Sequence, residues 1–164
     1  MKQYQLEHQD IENQKNSIKV ELFLEKLNSP ANLGAIFRNA EAFGVKKIWL
    51  NKSNMADLRS SRFKRTSRST EKNLHIEFYD NPIEVLKEVT QIKIGIEITS
   101  ESKNIYHIQE NIQTCTLVLG NEIGGISKEV ISILDSIYHI PMFGLNSSIN
   151  VAQSCGIALY ELNR

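Results

Sequence analysis

Hydrophobic and polar positions along the chain form short blocks whose period switches between two and about 3.6. Ile18-Lys19-Val20-Glu21-Leu22-Phe23-Leu24 alternates and then becomes continuously apolar, the pattern of a strand entering a core. From Asn32 to Phe43, Leu33, Ile36, Phe37 and Ala40 recur at helical spacing, and Gly44 ends the run. Lys47-Ile48-Trp49-Leu50, Leu74 to Tyr79, Ile92 to Ile98, Thr116-Leu117-Val118-Leu119 and Tyr138 to Met142 read as further strands. Pro82 opens a helix running to Val89, and Ser127 to Leu134 makes another with Ser127 as its N-cap. Ile149 to Leu162 is the last helix, with Val151, Cys155, Ala158, Leu159 and Leu162 as its buried stripe. Residues 59–72 offer few apolar anchors and read as a loop with a short helix at most, and residues 1–17 as an auxiliary amino-terminal helix.

Short apolar strands alternating with helices predict an α/β fold. The expectation is one domain over residues 1–164, built on a mostly parallel sheet with helices on both faces. Ligands in such folds bind beyond the carboxyl ends of the strands. That rule selects three loops: the one before Asn32, Gly120–Gly125, and Phe143–Asn150.

Composition narrows the class. With 164 residues, 41% hydrophobic and 23% charged, the chain can bury a sizeable core and does not have a disordered composition. No apolar run approaches the roughly 18 residues of a membrane span, and MKQYQLEHQD has no signal-like apolar stretch, so a cytoplasmic location without a membrane partner is expected. Cys115 and Cys155 make no disulfide framework, and the four histidines (8, 75, 107 and 139) show no metal-ligand spacing, so no metal is expected. Formal charge is zero, but residues 59–72 hold Arg59, Arg62, Lys64, Arg65, Arg68 and Lys72 against Glu71 alone. That segment is net +5 and the remainder net −5. Such a patch can hold a polyanion, or it is a solvated loop; charge alone leaves both open.

Each of the three loops has an ordinary reading beside a functional one. In N-L-G-A-I-F-R-N-A, residues 32–40, Asn32 is placed to cap the helix, and Arg38 lies about 140° around it from Leu33, off the apolar face. In L-V-L-G-N-E-I-G-G-I-S, residues 117–127, a strand runs into three glycines, which suits either a turn or close backbone approach to a ligand. It lacks the phosphate-loop and dinucleotide fingerprints, and Glu122 would repel a pyrophosphate, so a neutral or cationic ligand fits better. In I-P-M-F-G-L-N-S-S-I-N-V, Asn150 and Gln153 have capping-box spacing. Capping does not account for Asn146, Ser147 and Ser148 together.

Taken in order, the three segments resemble the three motifs of the SpoU/TrmH-type RNA 2′-O-ribose methyltransferases of the SPOUT superfamily. The first, N-x-G-x-x-x-R-x-A, is Asn32, Gly34, Arg38 and Ala40; the second is Leu117, Val118, Gly120, Glu122, Gly125 and Ser127. The third is Ile140, Pro141, Met142, Gly144, Ser148, Ile149, Asn150 and Val151, and the resemblance covers the chain from about residue 20. It implies a carboxyl-terminal deep trefoil knot, a homodimer, and S-adenosylmethionine as cofactor, held around Leu119, Gly120, Asn121, Ile140, Met142, Ser148 and Ile149. It makes Arg38 the catalytic residue, oriented by Asn32, with Glu122, Ser148 and Asn150 shaping the pocket.

An RNA substrate would be gripped by the dimer surface and by Arg59, Arg62, Lys64, Arg65 and Arg68, without a separate amino-terminal RNA-binding domain. Arg65 to Lys72 is similar to the region after the first motif in small members acting on tRNA, so a D-loop guanosine is the preferred target. A tRNA anticodon-loop pyrimidine and an rRNA guanosine stay open. Where many relatives read Ser-Leu-Asn-Val-Ser-Val, this chain has Ile149, Ala152 and Gln153, which changes the first helical turn. The rival readings are a noncatalytic knotted RNA-binding module and a nucleotide-binding regulatory domain.

Overall fold

The computed structural model describes residues 16, 18–108 and 112–164. Among them, β1 (Lys19–Leu24), β2 (Lys47–Asn51), β3 (His75–Tyr79), β4 (Ile92–Ile96), β5 (Lys103–Asn104), β6 (Thr114–Leu119) and β7 (Ser136–His139) form one sheet. Its order is β3-β2-β1-β6-β4-β7-β5, and each of these pairings is parallel.

Alternation along the central strands builds two cores. Val20, Leu22 and Leu24 of β1 and Leu117 and Leu119 of β6 bury against α1 (Pro30–Ala42) and α5 (Val151–Asn163). Phe23 and Val118, pointing the other way, bury with Leu86 of α3 (Pro82–Glu88) and Val130 of α4 (Lys128–Ile131). Burying each such side chain stabilises the fold by about 1.5–3 kcal/mol.

Several elements depart from their predicted limits for identifiable reasons. Helix α1 begins at Pro30, whose missing N–H costs nothing at the first helical position, and Ser29 rather than Asn32 is the N-cap: its Oγ accepts from the Asn32 amide at 3.3 Å. Strand β7 stops at His139, before Pro141, which has no amide to continue a ladder. The expected 127–134 helix shrinks to one turn, and the Ser127 side chain does not cap it. Strand β5 is two residues long, too short to leave a periodic trace. The expected auxiliary helix over residues 1–17 lies outside the described residues, apart from Asn16, whose Nδ2 donates to the Phe43 carbonyl at 2.6 Å.

The basic helix is seated on one buried aromatic side chain. Helix α2 (Ser61–Ser67) buries Phe63 edge-to-face on Phe37 of α1, with ring centroids 5.2 Å apart. The two helices touch at Gly34, where an added Cβ would lie 2.1 Å from Thr66 Oγ1 and 2.6 Å from the Phe63 carbonyl oxygen. The glycine of the first motif therefore sets the seat of the basic helix.

Candidate active site

The chain leaves the carboxyl ends of β1, β4, β6 and β7 into one cleft of about 510 Å³. The segment after β6 is folded by its own backbone: Asn121 and Gly125 exchange amide-to-carbonyl bonds of 2.9 and 3.0 Å. Gly120 has no room for a side chain, since a Cβ would meet the Gly125 and Ile126 backbone at 2.2–2.6 Å. The Asn121 side chain serves the same turn: Oδ1 accepts from the Ile123 and Gly124 amides and from Asn28 Nδ2, while Nδ2 donates to the Lys26 carbonyl.

Three carboxylates clamp this turn to its surroundings. Glu97 accepts from the Ile98 and Ile126 amides, both at 2.9 Å, and Glu25 accepts from the amide and hydroxyl of Ser127, both at 2.8 Å. Glu122 reaches across to the start of α1. Its Oε2 accepts from the Asn28 amide at 2.8 Å, and its Oε1 from the Ser29 amide and Asn32 Nδ2, both at 3.0 Å. Burial pushes the Glu122 carboxyl up; the amides of Asn28, Glu122 and Ser29 and the Asn32 side chain outweigh it and hold the group below its ordinary value.

From Glu122 a directed chain of bonds runs through all three motifs. A carboxylate only accepts, so Asn32 presents Nδ2 to it and turns Oδ1 outward. Oδ1 then accepts from Asn150 Nδ2 at 2.8 Å, which leaves Asn150 Oδ1 for the Ala152 amide at 2.8 Å. Glu122, Asn32 and Asn150 thus fix one another's amide orientations across 118 residues of sequence between the last two. Asn150 is also the N-cap of α5, so capping and site-building are the same contact.

Every expected cofactor residue lines the cleft: Leu119, Gly120, Asn121, Ile140, Met142, Ser148 and Ile149. So do Asn32, Glu122 and Asn150. Arg38 does not; it is exposed on α1, beside Asn39, whose Nδ2 donates to the Ala152 carbonyl at 2.7 Å. Sequence reasoning missed Ile96 and Glu97 at the end of β4 and His139 at the end of β7. The only signal for them was the rule that strand carboxyl ends face ligands. The lining side chains include two carboxylates and no lysine or arginine. Among the described residues no cluster of three or more His, Cys, Asp or Glu could hold a metal ion, and no helix is long and apolar enough to cross a membrane.

Residues 143–150 are exposed, and among the described residues Asn146, Ser147 and Ser148 make no side-chain hydrogen bond. Arg59, Arg62, Lys64, Arg65 and Arg68 are exposed as well, and none forms an ion pair among the described residues. Arg68 and Ser69 both adopt left-handed backbone, at φ 51° and 66°. The turn is fastened by Ser67 Oγ donating to Glu71 at 2.9 Å and Thr70 Oγ1 donating to the Ser67 carbonyl at 2.7 Å.

Comparison with known proteins gives a consistent result. The SpoU rRNA Methylase family model matches residues 19–160. The chain is 32% identical to the tRNA (guanosine(18)-2′-O)-methyltransferase of Aquifex aeolicus, over 87% of this chain and 68% of that protein. It is also 32% identical to the 23S rRNA (guanosine-2′-O-)-methyltransferase RlmB of Neisseria meningitidis, over 87% of this chain and 57% of that one. The SpoU methyltransferase AviRb from Streptomyces viridochromogenes, solved with its cofactor AdoMet, aligns at TM-score 0.76 and 26% identity, covering 90% of this chain and 60% of that one. The chain thus spans about six tenths to two thirds of the length of these proteins.

Proposed function

The chain belongs to the SpoU rRNA methylase family, and from that premise we propose that it transfers a methyl group from S-adenosylmethionine to a ribose 2′-hydroxyl of RNA. The observation that carries this is the Glu122–Asn32–Asn150 chain of bonds at the lip of a cleft lined by all seven expected cofactor residues. The cleft fits the cofactor by charge and shape. Glu97 and Glu122 bring negative charge with no opposing lysine or arginine, which favours a cation, and Ile96, Leu119, Ile140 and Met142 offer apolar walls to an adenosyl group.

When bound, S-adenosylmethionine supplies a methyl on a cationic sulfur and its own neutral leaving group. The chain's residues then have the tasks of positioning and of managing one proton. Ser148, unpaired among the described residues, stands at the cleft to hold cofactor or ribose. Asn32 and Asn150, locked by Glu122, keep the cleft's lip rigid. Arg38, whose planar guanidinium offers a fork of N–H donors and no acceptor, clamps an RNA phosphate and steadies the developing alkoxide rather than taking the proton.

Since Arg38 is absent from the cleft of its own chain, the reading requires a homodimer in which each chain lends Arg38 to the other. Exposed apolar side chains support such a face: Phe143 at 89% and Leu145 at 107% exposure in the third loop, and Ile157 and Tyr160 on α5. The dimer belongs with the single knotted domain expected for the family, and with a cytoplasmic RNA substrate. For that substrate we keep the order tRNA D-loop guanosine, then tRNA anticodon-loop pyrimidine or rRNA guanosine. The exposed basic surface of α2 and its left-handed turn support a folded RNA as the partner.

Incubation with methyl-labelled S-adenosylmethionine and total RNA, followed by nuclease mapping, tests the proposal and names the nucleotide. Arg38→Ala is expected to lower transfer about 10²–10³-fold. Mixing Arg38→Ala with Asn150→Ala chains should restore part of the rate, through dimers that keep one complete site. Cofactor binding without transfer to any RNA would favour the noncatalytic module instead.

A further inference from the structure

His139 stands at the carboxyl end of β7, pairs with Asn104 of β5, and lines the cleft. Its Nδ1 lies 3.0 Å from Ser102 Oγ. That hydroxyl already has two other partners: it donates to the Thr99 carbonyl at 2.9 Å and accepts from the Thr99 amide at 3.1 Å. A serine hydroxyl has one proton and two acceptor sites. With that proton directed to the Thr99 carbonyl, Nδ1 is the donor to Ser102, which corresponds to the Nδ1–H tautomer of the imidazole. Its other nitrogen, Nε2, is then a bare acceptor, and among the described residues it has no partner.

We infer that His139 is a ligand-positioning residue whose Nε2 accepts a hydrogen bond from a donor group of the cofactor bound in the cleft. This rests on the methyltransferase reading given above. The neighbours of the ring show what the ligand must bring. Glu97 is also an acceptor, and the adjoining walls, Ile96, Ile98 and Ile140, offer no side-chain donor or acceptor. This corner therefore recognises hydroxyl, amino or ammonium N–H and O–H groups, which an adenosyl amino acid carries and an RNA phosphate does not. Neither the β4–β5 turn that supplies Ser102 nor His139 lies among the motif residues. Specificity here is set by a strand pairing, His139 with Asn104, that brings the turn against β7.

Ring ¹⁵N spectra of the labelled protein, with and without S-adenosylmethionine, test the tautomer and the hydrogen bond directly. The expected result is an Nδ1–H ring before addition, with the Nε2 resonance shifting on addition. Calorimetry supplies the second arm. His139→Asn keeps a donor for Ser102 but removes the distal acceptor, and should weaken cofactor binding about tenfold. His139→Gln, which places an acceptor near the Nε2 position, should stay within about threefold of the original. Thermal unfolding of both variants separates misfolding from removal of the acceptor. Equal affinity in His139→Asn, or an Nε2 resonance unmoved by cofactor, overturns this inference alone. No binding of S-adenosylmethionine by the unaltered protein overturns the methyltransferase reading and this inference with it.

Discussion

The turn after β6 and the loop before α5 face each other across one cleft, and they are made in opposite ways. Between Gly120 and Ser127, turn amides are matched by backbone carbonyls, by carboxylates or by the Asn121 side chain, and Gly120 is packed until no Cβ fits. Between Phe143 and Ser148, by contrast, all residues are exposed, the polar side chains have no internal partner among the described residues, and Gly144 has no atom within 4 Å of a built Cβ. One region is completed by its own chain. The other leaves its polar groups to the outside, and folding alone gains nothing from them, as the proposed binding role requires.

The strongest way to break this contrast is to add the same methyl group to each side. Gly120→Ala drives a Cβ into the Gly125 and Ile126 backbone, where no side chain can yield, and should cost about 3 kcal/mol or more of stability. Gly144→Ala meets open space and should change stability by less than about 0.5 kcal/mol. Denaturant unfolding of the pair reads the difference. Equal losses would mean that the third loop is packed in the free chain.

Removing a clamp comes next. Glu122→Ala leaves the Asn28 and Ser29 amides and Asn32 Nδ2 without their acceptor, and should cost about 2 kcal/mol. Glu122→Gln sharpens the test through pH. The folded-state pKa lies below the ordinary value of 4.5, so the carboxylate's contribution is complete above that value and is lost as pH falls through the lowered one. The unaltered protein should therefore lose stability faster than Glu122→Gln on acidification below about pH 4.5. Parallel pH–stability curves would contradict the lowered carboxyl.

These cases also mark how far the sequence could be read. Apart from β5 and α2, strand and helix identities follow from periodicity, because each element buries one face or both, and the three loops that meet at the cleft follow from the strand-end rule. The sequence reading placed Asn32 as the cap of α1, and the structure gives that place to Ser29, one residue before Pro30. The Asn32 side chain is instead engaged by Glu122, 90 residues away, a contact that local pattern does not reveal. Glu97 and His139 leave no local signal for a related reason: Glu97 follows β4 and His139 ends β7, and each gains its place at the cleft only from the neighbouring strand or turn. The basic helix α2 leaves little trace in the pattern because only one of its two buried residues, Phe63, is apolar; the other is Ser67.

The basic surface extends the contrast outward, with a smaller effect expected on the free protein. Neutralising Arg62, Arg65 and Arg68 to Gln removes exposed charges that have no ion-pair partner among the described residues, so stability and cofactor affinity should hold. RNA affinity should fall about 10–100-fold at low salt, and the slope of log affinity against log salt should flatten by about one for each phosphate no longer neutralised. Filter binding across a salt series measures both. A fall in cofactor affinity in the same variant would mean that α2 supports the cleft through Gly34 and α1 rather than gripping RNA.

The smallest expected change in stability belongs to Ser147 and Ser148. Neither hydroxyl bonds anything in the chain among the described residues, and both are exposed, so each alanine variant should unfold within about 0.5 kcal/mol of the original. Only Ser148 lines the cleft. Calorimetry with S-adenosylmethionine should therefore separate two substitutions that unfolding cannot: Ser148→Ala weakened about three- to tenfold, Ser147→Ala unchanged. A hydroxyl that adds nothing to folding but something to binding is what a loop shaped for a ligand predicts. If Ser148→Ala destabilised the free protein as much as Glu122→Ala, the two sides of the cleft would be built alike. The difference drawn between them would then vanish.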